Sequence, residues 1–97
     1  MKGARVVRFY CGLMTGSTPV DKQVYLGVVG AFFPSYTVFE TTGRWEGASE
    51  PSIVIEVITG ADEGYVEQAG KHLRLAGRQS AVLVTETALG DSKLITD

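Results

Sequence analysis

Residues 36–58, YTVFETTGRWEGASEPSIVIEVI, hold the pattern that decides the fold. Segment 36–42 is rich in β-branched and aromatic residues, which favour a strand. Segment 53–58 is apolar and β-branched except for Glu56, as in a central strand that is covered on most of both faces. The glycines and the proline in segment 42–51 are typical of a hairpin connection. The sequence therefore predicts two neighbouring antiparallel strands.

A strand and a helix are predicted before this hairpin. Segment 5–13 is rich in Val, Phe and Tyr and alternates in the manner of a strand. Ser17 or Thr18 can cap a helix that follows, and Pro34 is expected to end it because the residue before a proline avoids helical angles. The apolar residues at helical spacing in this segment are Val20, Val24, Val28 and Phe32.

A second helix and a last strand are predicted after the hairpin. Asp62 and Glu63 give an acidic first turn, Gly77 ends the helix, and segment 80–87 has strand composition. The order β-α-β-β-α-β matches the split β-α-β, ferredoxin-like α+β fold, a four-stranded antiparallel sheet with two helices on one face. We expect residues 1–97 to form a single domain whose tail, residues 90–97, frays.

The sheet face opposite the helices is where function is expected. If Cys11 and its alternating neighbours point to the helices, Arg8 and Tyr10 lie on the open face. Glu56 is placed there too, because a carboxylate under the helices would be costly. Arg8 and Glu56 then either pair across the strands or line a ligand pocket. The open face also carries Ile58 and two valines, and an apolar face of this kind predicts a homo-oligomer.

Two segments carry candidate binding groups. Segment 12–18 joins a strand to a helix start, where Ser17, Thr18 and free N–H groups suit an anion. The lysine of a phosphate loop is absent from it, so nucleotide hydrolysis is disfavoured. The second group comprises Arg44, Trp45, Glu46 and Glu50, in which a planar cation and an aromatic surface suit a nucleobase or a carboxylate. Ordinary turn and packing roles stay open for both segments.

Composition narrows the classes of function. A net charge of -2 without a basic run argues against duplex nucleic acid as a partner. No stretch approaches the roughly 20 apolar residues that span a bilayer, so no membrane association is predicted. A single cysteine, Cys11, indicates a reducing, cytoplasmic compartment. With His72 as the one histidine, no metal site and no cofactor are predicted.

Four short motifs carry a resemblance to a known family. They are RFYCG at 8–12, FPSYTV at 33–38, GRWEG at 43–47 and EPS at 50–52. In this succession they resemble an uncharacterised bacterial and phage family of small ferredoxin-like domains. The chain departs from the family at Cys11, where an aromatic residue is more usual, and in a shorter loop after Trp45. The resemblance implies the fold and carries no activity with it.

Two main classes of function follow from these patterns. The first is a non-catalytic homo-oligomer that captures a small anionic ligand, such as a nucleotide, between subunits. The second is a small cofactor-free enzyme of the dimeric ferredoxin-like type, in which Tyr10, His72 or Glu56 transfers protons. The sequence shows no paired acid and base, which favours binding over catalysis, and a structural or protein-interaction role stays open. The predicted ligand-binding residues are Arg8, Tyr10, Ser17, Thr18, Arg44, Trp45 and Glu56.

Overall fold

A computed structural model describes residues 3–96 of the chain, apart from the side chain of Trp45. Its elements are β1 (Arg5–Gly12), β2 (Met14–Thr15), β3 (Thr18–Pro19), α1 (Lys22–Phe32), β4 (Thr37–Trp45), β5 (Ala48–Thr59), α2 (Glu63–Ala76) and β6 (Leu83–Ala88). The main sheet has the order β4-β5-β1-β6 with every pair antiparallel, and β2 and β3 form a separate short hairpin. This arrangement confirms the ferredoxin-like α+β fold. Neither described helix is long and apolar enough to cross a membrane.

The core lies between the sheet and the two helices. Alternate residues of β1 and β5 are buried against α1 and α2, and those with no exposed surface are Val7, Phe9, Cys11, Ile53 and Ile55. Because strand side chains alternate, this assignment leaves Arg8, Tyr10 and Glu56 on the open face. The strand phase expected from the sequence is therefore the observed one.

Both helices begin at an aspartate. The Asp21 carboxylate accepts a hydrogen bond of 2.9 Å from the Gln23 N–H, and Asp62 caps α2 in the same way. The expectation that Ser17 or Thr18 caps the first helix is wrong. The chain first turns back at Gly16, which has a φ of 59°, to pair Thr18 with Thr15, so α1 starts four residues later.

The residues that the helices bury also differ from those predicted by the apolar spacing of the sequence. In α1, Tyr25 and Val29 are fully buried, whereas Val24 is 40% exposed. In α2, Val66 and Leu73 point inward while His72 is exposed. A helix that is apolar on nearly all sides, such as α1, has no polar face to set its rotation, so packing against the sheet decides it.

The hairpin between β4 and β5 is tighter than the sequence suggests. The strands stay paired as far as Trp45 and Ala48, through most of the segment expected to be a loop. Only Glu46 and Gly47 form the turn, with φ values of 48° and 83°. Two positive φ angles are characteristic of the two-residue type I′ turn, whose twist matches the strands it joins.

Candidate functional site

An ion pair occupies the middle of the open face. Arg8 Nε donates to Glu56 Oε2 at 2.8 Å, and the two residues are register partners of β1 and β5. Their side chains are 40% and 22% exposed, so solvent screens the attraction and the pair contributes under about 1 kcal/mol. Because each charge is already paired with the other, a ligand that bound either side chain would have to break the Arg8–Glu56 ion pair.

Large apolar side chains surround this ion pair. Tyr10, Phe39, Ile58 and Leu83 are 38%, 46%, 49% and 61% exposed. Val54 is the register partner of both Tyr10 and Phe39, and Leu83 is the partner of Tyr10, so the apolar residues are contiguous across four strands. An exposed apolar row that crosses all four strands of a sheet is a usual mark of an interface.

A cleft of about 780 Å³ opens at the end of the sheet where β1 stops. Four parts of the chain form its walls: the end of β1, the β2–β3 hairpin, the distal part of the β4–β5 hairpin, and the connection from α2 to β6. The large apolar and charged side chains that line it include Tyr10, Met14, Arg44, Glu50, Arg78 and Leu83. The volume lies within the range of roughly 300–1,000 Å³ that is typical of small-molecule sites.

Hydrogen bonds hold two of these walls together. Gln79 Nε2 donates to the Met14 carbonyl at 3.0 Å and to the Gly77 carbonyl at 2.9 Å. Thr15 Oγ1 also donates to the Gly77 carbonyl, at 3.0 Å. These bonds join the β2–β3 hairpin to the α2–β6 connection, so this side of the cleft is preformed.

Tyr25 holds Gly12, which forms the floor of the cleft, from the helix side of the sheet. Its hydroxyl donates to the Gly12 carbonyl at 2.5 Å, at the last residue of β1. Burial raises the pKa of Tyr25 to about 12, with a further rise from nearby Cys11 and a lowering by the Gln79 hydrogen bond. The phenol is therefore neutral and able to donate throughout the physiological range of pH.

Cys11 lies in the wall of the cleft but is fully buried. Burial raises the pKa of its thiol to about 12. The thiol is consequently protonated near neutral pH, and since the thiolate is the reactive form, Cys11 is not suited to act as a nucleophile.

The charged groups of the cleft are Arg44, Glu50 and Arg78. Arg44 and Arg78 are exposed, and Glu50 is half-buried. Within the described residues none of the three takes part in an ion pair. The cleft thus combines apolar walls with two available cations and one available anion.

The structure brings only some of the predicted site residues together. Tyr10 and Arg44 line the cleft. Arg8 and Glu56 lie on the same sheet face as Tyr10 but nearer the middle of the sheet, away from the cleft lining. Ser17 and Thr18 are exposed on the β2–β3 hairpin and do not line the cleft, while the side chain of Trp45 is outside the described part of the chain.

The proton-transfer groups of the enzymatic alternative are not assembled. His72 lies on α2, with its ring centroid 5.2 Å from that of Phe32 on α1. Tyr10 and Glu56 are on the opposite side of the sheet. A single pocket cannot contain all three.

Arg78 and Gln79 line the cleft but were not among the residues predicted from the sequence. Glu50, by contrast, lines the cleft as a member of the same candidate hairpin group as Arg44. Arg78 and Gln79 follow a helix-ending glycine, where solvated polar residues are common. The available signal was the topology, because a ferredoxin-like sheet places the end of its first strand beside the segment that precedes its last one.

Comparisons with known proteins support the fold. No protein-family model matches the chain, and no curated protein matches it in sequence. Among solved structures it is similar to a phage SAM lyase in complex with S-methyl-5′-thioadenosine, with a TM-score of 0.77 and 24% identity over 93% of this chain and 84% of that chain. A phage SAM lyase in the apo state gives a TM-score of 0.71 and 21% identity, with 96% of each chain covered.

A more distant neighbour comes from bacteria. A DUF3240 family protein from Shewanella baltica has a TM-score of 0.65 and 7% identity, covering 99% of this chain and 100% of that chain. At these identities the likeness establishes the fold. The chain is a compact α+β domain of a kind found in phage and bacterial proteins, which agrees with the resemblance seen in its motifs.

Proposed function

We propose that this protein is a homo-oligomeric binding protein for a small nucleoside-type ligand, which occupies the cleft at the end of the sheet. The observation that carries the proposal is the cleft itself, about 780 Å³ in volume and held open by the Gln79 hydrogen bonds. Ligand sites are characteristically concave, largely apolar and preformed, with a few polar groups that fix orientation.

The chemistry of the lining suits a nucleoside. Tyr10, Met14 and Leu83 provide apolar surface for a flat base, and Pro51 adds to it from β5. Arg44 supplies a cation that no described residue neutralises, which suits an anionic substituent. A phage SAM lyase of similar fold is known in complex with S-methyl-5′-thioadenosine, an adenine nucleoside, and this lends weight to the choice of ligand.

The cleft and the apolar open face share residues, which supports the oligomeric part of the proposal. Tyr10 and Leu83 line the cleft and are also among the exposed apolar residues of that face. A second copy that covered the face would therefore border the cleft as well. Burial of such a surface in a homo-oligomer would also supplement the limited core of a 97-residue domain.

Calorimetric titration combined with native mass spectrometry tests this proposal. The panel is S-methyl-5′-thioadenosine, adenosine, AMP, ADP and cyclic AMP. Arg44→Ala should weaken binding of the anionic members by about 10- to 150-fold, because it removes a charge-assisted contact. Lys71→Ala is the matched control, since it removes a cation from α2 that does not line the cleft. If no member binds the parent protein, the proposal fails.

A second candidate function is cleavage of S-adenosylmethionine, and the observation that favours it is the similarity to two phage SAM lyase structures. Attack by the carboxylate of S-adenosylmethionine on its own γ-carbon would form a lactone and break the carbon–sulfur bond, whose electron pair passes to sulfur and releases S-methyl-5′-thioadenosine as a neutral thioether. Such a leaving group needs no protonation, so binding and orientation of the substrate can supply much of the catalysis without an acid–base pair. Glu50 is the carboxylate that the cleft offers to a sulfonium cation.

The two candidates are separated by incubation with S-adenosylmethionine. Chromatography with mass detection would reveal S-methyl-5′-thioadenosine above the background of a protein-free sample if the chain is a lyase. Glu50→Gln removes the negative charge while keeping the shape, and should abolish that excess. A parent protein that binds nucleosides but forms no excess product is a binding protein.

A further inference from the structure

Arg78 has a backbone conformation that disfavours its own side chain. Its φ is 52°, and among the described residues only Glu46 shares a positive φ without being glycine. Glu46 is explained by the type I′ turn, which requires that angle at its first central position. The φ of Arg78 is set instead by the way α2 ends.

The end of α2 shows why arginine is unexpected at this position. The Gln79 N–H bonds the Arg74 carbonyl at 2.9 Å, and the Arg78 N–H bonds the Leu75 carbonyl at 3.1 Å. These two bonds define a Schellman motif with Gly77 as the cap and residue 78 in the left-handed position. Glycine usually occupies that position because a side chain there crowds the following carbonyl. The fold alone would thus be better served by glycine.

The surroundings of Arg78 show what the arginine can do. Its carbonyl accepts a hydrogen bond of 3.4 Å from Thr15 Oγ1, and Gln79 next to it is tied to the β2–β3 hairpin. The backbone is therefore fixed at the rim of the cleft that Arg78 lines. Within the described chain its guanidinium has neither a carboxylate nor a carbonyl partner. Non-glycine residues held in the left-handed region are concentrated at functional sites.

We infer that Arg78 determines ligand specificity by binding an anionic oxygen group, a carboxylate or a phosphate, at one end of the ligand in the cleft. The inference rests on the proposed function. Arg44 lines the same cleft from the edge strand β4, whereas Arg78 lines it from the connection between α2 and β6, so the two cations belong to different walls of the cleft.

Arg78→Gly tests this inference, because folding and binding should respond in opposite directions. Relief of the left-handed strain should leave the melting temperature unchanged or raise it. Three ligands are compared: neutral S-methyl-5′-thioadenosine, S-adenosylhomocysteine with a carboxylate, and AMP with a phosphate. The parent should bind a charged ligand more tightly than the neutral one. Arg78→Gly should weaken that binding by about 10- to 150-fold while changing the neutral ligand by less than about twofold. Arg78→Lys should restore part of the loss.

Glu46→Gly is the matched control. It relieves the same kind of backbone strain in a turn that does not line the cleft, so it should stabilise the fold without changing affinity. The charged ligand that responds to Arg78→Gly identifies the anionic group. If the parent binds S-methyl-5′-thioadenosine but Arg78→Gly leaves all affinities unchanged, the role of Arg78 is refuted while the proposed function stands. If the parent binds none of the three ligands, the role of Arg78 is refuted, and the five-member panel described above decides separately whether the proposed function fails.

Discussion

Gly77 connects the end of α2 to the floor of the cleft, and Gly77→Ala should destabilise the protein. A Cβ at this position would overlap the Tyr25 hydroxyl and ring carbons. The φ of Gly77 is −88°, which alanine adopts without strain, so the effect is purely steric. Tyr25 cannot easily move away, because it is fully buried and its hydroxyl bonds the Gly12 carbonyl.

The size of the effect follows from two contributions. Inserting a methyl group into a closely packed site costs about 1–3 kcal/mol. Displacing the Tyr25 hydroxyl from the Gly12 carbonyl costs about 1 kcal/mol more. The sum, about 2–4 kcal/mol, is a large part of the roughly 5–15 kcal/mol that stabilises a domain. For a domain of this length it corresponds to a fall in melting temperature of at least about 8 °C.

Urea denaturation and thermal melts of paired variants would measure this effect. Gly27→Ala is the control, because Gly27 lies within α1 with nothing within 4 Å of its added Cβ. There the same substitution should stabilise the protein by about 1 kcal/mol through helix propensity. A Gly77→Ala variant as stable as the parent would show that Tyr25 is not held against this glycine, and the account of the cleft floor would be wrong.

Three further predictions concern the open face and the buried titratable groups. Ile58→Glu should dissociate the proposed oligomer, because it places a charge among exposed apolar side chains; light scattering should detect this, and a 10.4 kDa parent would contradict the oligomer. Cys11 should react slowly with thiol reagents in the native state, since it is fully buried and its thiol pKa is raised to about 12; rapid labelling without unfolding would contradict the strand phase. The free energy of unfolding should fall as the pH rises from about 9 toward 12, because the pKa values of Cys11 and Tyr25 are raised in the folded state and the unfolded chain therefore releases these protons first. Urea titrations at pH 8, 10 and 11 would measure the fall, and Cys11→Ala should shift its onset to higher pH. A stability that does not change over this range would argue against burial of both groups.

The order of the six main elements was readable in the sequence, but the β2–β3 hairpin and the start of α1 were not. Alternation in β1 has the period of a strand, the β-branched composition of segment 53–58 favours one, and Pro34 and Gly77 mark the helix ends locally. The start of α1 was misplaced because Ser17, Thr18 and Asp21 are all good capping residues. Pairing of Thr18 with Thr15 in the β2–β3 hairpin excluded the first two, and no local pattern announced that pairing.

The sequence by itself determined the ferredoxin-like fold, the strand phase that buries Cys11, and the placement of Arg8 and Glu56 on the open face, because periodicity and burial cost act between near neighbours. Only the register between β1 and β5 made Arg8 and Glu56 partners. The cleft was decided only by the tertiary structure. Its walls come from segments as far apart as Met14 and Gln79, which sheet order and the hydrogen bonds of Gln79 bring together. Arg78 illustrates this difference between sequence and tertiary structure. In the sequence it is only a polar residue after a helix, whereas in the folded chain it is an arginine with a positive φ at the rim of the cleft.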